Sequence, residues 1–276
     1  MGFILESPLL YPFLLTLIAG LSTGIGASIA FFADSKNTAF LSFALGFSAG
    51  VMLFISFTEL YIASKTGYAK IYGEITGERY ATALFFVGCI MALLIDKAIP
   101  EKINPHELKN DRQIQKALSA KTLALKKTGM LTALLIAVHN FPEGFATLMS
   151  AIENPVFGVA VAFAVALHNI PEGMSISLPM YYATGDRKKG FLLASASGLS
   201  EPIGALIGYF LLVPFLGEGV MAGTLALIAG MMVYVALDEL IPSSMIYGNS
   251  HTTIVGLILG MGAMAVSLLL LRGYGL

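Results

Sequence analysis

Long apolar runs follow one another along this chain almost without pause. A helix needs about 20 apolar residues to cross the hydrocarbon layer of a bilayer. Eight stretches reach that scale, at 10–32, 40–63, 81–99, 128–150, 156–182, 190–213, 220–243 and 252–272. The expected fold is therefore an all-α integral membrane protein of eight transmembrane helices, forming a single transmembrane domain with the lipid bilayer as its solvent. Composition agrees: 12% of the 276 residues are charged, about half the share of a soluble domain. Most connections are short. The exception, 100–127, is polar and is expected to be a partly helical cytosolic loop.

Charge and cysteine usage remove several functions. A net charge of −1 gives no basic field to attract phosphates, so nucleic acid is excluded as a partner. The one cysteine, Cys89, allows neither a disulfide framework nor a thiolate metal cage. No Lys or Arg precedes Lys36, and Glu6 has the wrong sign for a cleaved signal, so the first run is expected to stay as a span. Lys and Arg fix the direction of insertion. The 1–2, 3–4, 5–6 and 7–8 connections hold Lys36, the eight basic residues from Lys97 to Lys127, and Arg187, Lys188 and Lys189; the opposite side holds Lys65, Lys70, Arg79 and Arg272. Both termini should lie outside the cytosol.

The chain also contains a hidden repeat. LSTGIGASI at 21–29 agrees with LSEPIGALI at 199–207 in six of nine positions, and AGVMLFISFTEL at 49–60 pairs with AGMMVYVALDEL at 229–240. The offsets, 178 and 180, nearly coincide, so spans 1 and 2 resemble spans 6 and 7. Span 3 should then match span 8, although their sequences show no likeness. Span 1 runs inward and span 6 outward, which makes the repeat inverted and leaves spans 4 and 5 as a central antiparallel pair. This 3+2+3 plan, with polar and broken helices at its centre, is that of secondary transporters.

The central pair carries HNFPEG at 139–144 and HNIPEG at 168–173. With about 100° per residue, Glu143 projects between His139 and Asn140, and Glu172 between His168 and Asn169. Pro142 and Pro171 free the carbonyls of Val138 and Leu167 and are expected to kink their helices. Gly144 and Gly173 should let a neighbouring helix approach closely. Facing each other, the two helices would converge His139, Glu143, His168 and Glu172, a set suited to zinc, iron(II), manganese, cobalt, nickel or cadmium. Asn140, Asn169 and the far sides of both glutamates offer a second, oxygen-rich site, with Glu201 of SGLSEPIG as a further carboxylate. Two divalent ions would nearly balance three buried carboxylates, or four if Glu59 is near. Met52 is an additional soft-ligand candidate, and Glu59, Asp238 and Glu239 are candidate ligands along the access path. The competing readings are packing for Met52 and ordinary interfacial carboxylates for the acids.

These residues resemble the ZIP metal-ion permeases, in their bacterial zinc-uptake branch. The two hexapeptides resemble the family's signature pair and GLSEP its third ligand segment, and the likeness covers essentially the whole chain. It implies a binuclear site, His139, Glu143, His168 and Glu172 with Met52, beside Asn140, Glu143, Asn169, Glu172 and Glu201. It further implies uptake of zinc, with iron, manganese, cobalt or cadmium, across the cytoplasmic membrane. Spans 1, 4, 5 and 6 would slide against spans 2, 3, 7 and 8, in a homodimer. The divalent cation, zinc first, is then cargo, and no prosthetic group is expected. The cytosolic loop of that family is commonly His-rich, whereas 100–127 holds one histidine, His106. The rival classes are an intramembrane metalloenzyme and a non-transporting metal sensor. Neither H-E-x-x-H nor Glu-x-x-His occurs and no separate general base is evident, so the chain reads as no enzyme.

Overall fold

The computed structural model of the protein describes residues 9–34, 36–98, 117–153, 155–212, 218–248 and 250–273, and every regular element among them is a helix. Both chain ends and the first part of the expected cytosolic loop, 100–116 with His106, lie outside the described residues. In order the helices are α1 (Leu10–Ser28), α2 (Thr38–Ile55), α3 (Tyr61–Tyr72), α4 (Glu74–Ala98), α5 (Ala117–Glu153), α6 (Pro155–Thr184), α7 (Arg187–Gly198), α8 (Ser200–Leu212), α9 (Glu218–Tyr234), α10 (Ile241–Tyr247) and α11 (Ser250–Gly273).

Local chemistry sets their ends. The Asn37 side chain caps α2 by accepting from the Phe40 amide, and Asp186 caps α7 by accepting from the Lys188 and Lys189 amides. Gly73 and Gly185, at φ 80° and 71°, take the left-handed turn after α3 and α6 that a residue with a Cβ resists.

Seven of the described helical stretches are long and apolar enough to cross a membrane. The expected eighth, α5, has the length, 37 residues, but not the composition, because HNFPEG sits in its middle. This helix starts at Ala117, so it absorbs the second part of the expected 100–127 loop. Helices α5 and α6 run continuously through Pro142, Pro171 and Pro179. A break in helix comes at Leu199, where α7 gives way to α8 just before Glu201 and Pro202.

Many large apolar side chains point outward. Ile18, Ile25, Phe86, Phe163, Phe210 and Leu269 are all at least half exposed, whereas Thr16, Gly20, Ser22, Thr23 and Gly26 form the buried face of α1. Lipid supplies no hydrophobic drive between helices, so small residues that permit close approach make the interfaces.

The helices pack as two groups. One contains α1, α5, α6, α7 and α8; the other contains α2, α3, α4, α9, α10 and α11. They meet mainly where α2 lies on α6 and α9 on α5. The seam is apolar, with Leu45 and Met52 of α2 and Met232 of α9 in one core with Leu135 of α5 and Leu178 of α6. Side-chain hydrogen bonds also cross it: Ser48 Oγ donates to the Pro171 carbonyl at 2.7 Å, and the Thr128 and Ser243 hydroxyls meet at 3.3 Å.

Close approaches recur in matched sets. Gly50 lies against the Leu257 carbonyl and Gly260 against that of Phe47, with no room for a Cβ. Gly230 in the same way lies against the Phe85 carbonyl and Gly88 against that of Leu227. Positions 47 and 50 are each 180 residues from 227 and 230, and 85 and 88 are each 172 from 257 and 260. Packing thus relates α4 to α11, a pairing their sequences do not reveal. The likeness of α2 to α9 extends to shape, since each widens into a π turn at aligned positions, Ser56–Leu60 and Val235–Leu240. Such bulges accompany functional sites in helices.

At one end of the first group, Tyr182 Oη lies 2.8 Å from the carbonyls of both Asp34 and Asn37, and Arg187 donates to that of Ala33. These contacts hold the α1–α2 connection. Tyr182→Phe is expected to lower stability by about 0.5–1.5 kcal/mol, the worth of one ordinary hydrogen bond, read as a lower unfolding midpoint in detergent.

Candidate metal centre

The two hexapeptides meet where α5 and α6 cross, and their acids and imidazoles pair across the helices, not along them. His139 Nε2 lies 3.0 Å from Glu172 Oε1, and His168 Nε2 lies 2.8 Å from Glu143 Oε1. All four residues are at least 97% buried, as are Asn140, Asn169 and Glu201. The second contact is the shorter, but its N–H does not aim at the oxygen. His168 is oriented by Nδ1, 3.1 Å from the Ala164 carbonyl one turn back, whereas His139 Nδ1 has no such partner. Asn169 Nδ2 donates to Glu201 Oε2 at 2.7 Å and to the Ala19 carbonyl at 2.9 Å.

This centre depends on close packing of its neighbours. Gly144, at the end of HNFPEG, lies against the Glu201 carbonyl of α8, and Gly173, at the end of HNIPEG, against the Thr23 carbonyl of α1. Gly204 and Gly26 return the contacts, to the carbonyls of Phe141 and Ile170. Helices α1 and α8 are thereby pressed onto α6 and α5, and Glu201 is carried to the motif pair.

As placed, each imidazole faces a carboxylate of the other helix, and among the described residues no three His, Cys, Asp or Glu side chains aim at one point. Capacity for ligands remains. His139 Nδ1, His168 Nε2, both polar atoms of Asn140, Asn169 Oδ1, both carboxylate oxygens of Glu143, Glu172 Oε2 and Glu201 Oε1 are buried without a hydrogen-bond partner in the protein. Buried polar atoms are normally paired, so this concentration of bare nitrogen and oxygen donors fits a cation of the transition series.

The other candidates fall outside this cluster. Met52 is fully buried in the apolar seam. Glu59 sits in the π turn after α2, and Asp238 and Glu239 in the turn after α9. Tyr234 Oη lies 3.0 Å from Asp238 and 3.2 Å from Asp96. Ser48 and Thr23, which reach the motif helices, are residues that motif reading alone passes over. The alignment of LSTGIG with LSEPIG, which sets Thr23 opposite Glu201, holds the signal for the latter.

A bundle of apolar helices closed around buried histidine, glutamate and asparagine defines a multi-pass membrane protein with a cluster of nitrogen and oxygen donors in its interior. The family model described as ZIP Zinc transporter matches residues 96–268. Similar proteins include the zinc transporter ZupT of Clostridium perfringens, 47% identical, with 95% of this chain and 96% of the relative covered. That of Nitratidesulfovibrio vulgaris is 48% identical, with 96% and 98% covered, and that of Streptococcus mutans 45%, with 94% and 96%. The chain belongs to the ZIP family, a family of transporters and not of enzymes.

Proposed function

We propose that this protein takes up divalent transition-metal ions, zinc first, across the cytoplasmic membrane through a binuclear site. One ion is held by His139, Glu143, His168 and Glu172, and the other by Asn140, Glu143, Asn169, Glu172 and Glu201. The observation that carries this reading is the pair of crossed His–Glu contacts ringed by unpaired buried donors. An imidazole must be unprotonated to bind a metal, and arrival of the ion turns each crossed pair into two ligands. Two divalent ions also offset the carboxylates Glu143, Glu172 and Glu201, which are costly to keep charged in midmembrane. Imidazole and carboxylate accept iron(II), manganese, cobalt and cadmium besides zinc.

The eight spans form a 3+2+3 inverted repeat, with α5 and α6 as the central pair. Matched glycine contacts and the paired π turns support it. Basic residues concentrated on one side support termini outside the cytosol. Transport proceeds by sliding the group of α1 and α5–α8 along the apolar seam, in an elevator-like exchange of access, and the protein works as a homodimer. Met52 on the seam contacts the ion in passing, and Glu59, Asp238 and Glu239 line its path.

The test is flux. Reconstituted protein in liposomes loaded with a zinc-sensitive dye should show saturable zinc influx, absent from empty vesicles and competed by cadmium, manganese, cobalt or iron(II). Influx no faster than in empty vesicles would overturn the proposal.

A further inference from the structure

We propose that the hydroxyls of Ser48, Thr128 and Ser243 form a releasable latch across the seam, which holds the moving group of helices in the position described. Opening the latch is then the slow step of each turnover. The inference rests on the transport reading above, with sliding as its mechanism.

Apolar contact along the seam has no direction of its own, whereas a hydrogen bond does. Ser48 Oγ of α2 donates at 2.7 Å to the carbonyl of Pro171, inside HNIPEG and next to Glu172. The Thr128 hydroxyl of α5 and the Ser243 hydroxyl of α10 meet at 3.3 Å, and both residues are buried. Ser243 is a fixed point on its side of the seam. Its neighbour Ser244 donates to the Ser42 carbonyl at 2.6 Å and lies 2.7 Å from the Thr253 hydroxyl. These bonds tie α10 to α2 and α11, so Thr128 works against a braced partner.

The ties can open without stranding a buried group. Ser48 Oγ also lies 3.0 Å from the Ala44 carbonyl of its own helix, so on leaving Pro171 it keeps an acceptor. Pro171 sits inside the continuous helix α6, whose own ladder goes on serving its carbonyl. Thr128 and Ser243 can each turn back to the carbonyl four residues earlier, as Thr16 and Ser56 do. Opening therefore loses the bonds themselves and avoids the larger penalty of an unsatisfied polar atom.

The repeat makes the latch one-sided. Identical inverted halves would favour neither end of the slide. The halves differ at these positions: 180 residues separate Ser48 from Ile228 and Ser243 from Ala63, and 29 separate Thr128 from Phe157. None of the three counterparts has a hydroxyl. The brace differs as well. Ser42 and Thr253 correspond to Ala222 and Ala81, and Ser64, the counterpart of Ser244, is buried with its hydroxyl unpartnered. The position described thus holds bonds that its repeat-related position lacks the side chains to make, and the equilibrium is weighted toward it.

Zinc influx into dye-loaded liposomes at saturating zinc tests the latch. Wild type is compared with Ser48→Ala, Thr128→Val, Ser243→Ala and the double variant of Thr128→Val with Ser243→Ala. Removing one bond should raise the maximal rate about threefold, a factor within the net effect of one ordinary hydrogen bond. The double variant should be no faster than its members, because all three lack the same bond. Ser267→Ala is the control and should match wild type, since the exposed Ser267 hydroxyl bonds the Ala263 carbonyl of its own helix. Should Ser48→Ala fail to insert, Thr128→Val carries the same prediction. A contact that only stabilised the fold would not slow transport, so rates per folded molecule at or below wild type would overturn the latch. So would a double variant about threefold faster than both its members, or a control as fast as Ser48→Ala. Wild type without influx would overturn the transport reading itself.

Discussion

Glu143→Gln and Glu172→Gln, made singly, are each expected to reduce zinc influx by at least about a hundredfold, the equivalent of roughly 2.8 kcal/mol of lost ion stabilisation. Either change is nearly isosteric and removes one anionic ligand from a fully enclosed centre. Each also replaces the opposite imidazole's anionic partner with a neutral amide, since Glu143 pairs with His168 and Glu172 with His139. The two variants should therefore fail alike, although they lie on different helices. Breaking a buried pair also costs folding stability, about 3–5 kcal/mol in water-soluble proteins, so unfolding midpoints must be measured on the same preparations. A lowered midpoint with influx per folded molecule intact would make the crossed contacts structural and remove them from the ion path.

Much of this arrangement was legible in the sequence, because its two strongest signals are local. Apolar runs near the length of a bilayer mark helices, and HNFPEG and HNIPEG carry their donors within one turn each. What was not legible depends on partners far away in sequence. Helical spacing sets Glu143 beside His139, yet the structure gives Glu143 to His168, because only the crossing of α5 and α6 decides which imidazole is nearer. The stop in helix at Leu199, ahead of Pro202 in the aligned segment, is a further break that the motif prolines do not announce. The kinship of α4 with α11 is carried by backbone contacts at Gly88 and Gly260, where the constraint is the absence of a side chain and the flanking sequence is free to diverge.

Glycine substitution separates these packing constraints from helix propensity. Gly144→Ala and Gly173→Ala should each lower stability by about 1–3 kcal/mol, the cost of overpacking a close interface. The reason is that the added methyl meets backbone, the Glu201 carbonyl in one case and the Thr23 carbonyl in the other. Backbone yields less readily than the end of a flexible side chain, and moving it displaces the residue that follows. At Gly144 the shift falls on Glu201, so zinc affinity should weaken along with the unfolding midpoint. Gly262→Ala is the control: nothing lies within 4 Å of its added methyl, and alanine is favoured over glycine in a helix by roughly 0.5–1 kcal/mol. Its midpoint should stay level or rise, and its influx should be that of wild type. Unfolding midpoints of the three variants in one detergent decide the matter. If Gly144→Ala melts no lower than Gly262→Ala, the contact between α5 and α8 is looser than the structure has it, and Glu201 is positioned by something other than backbone packing.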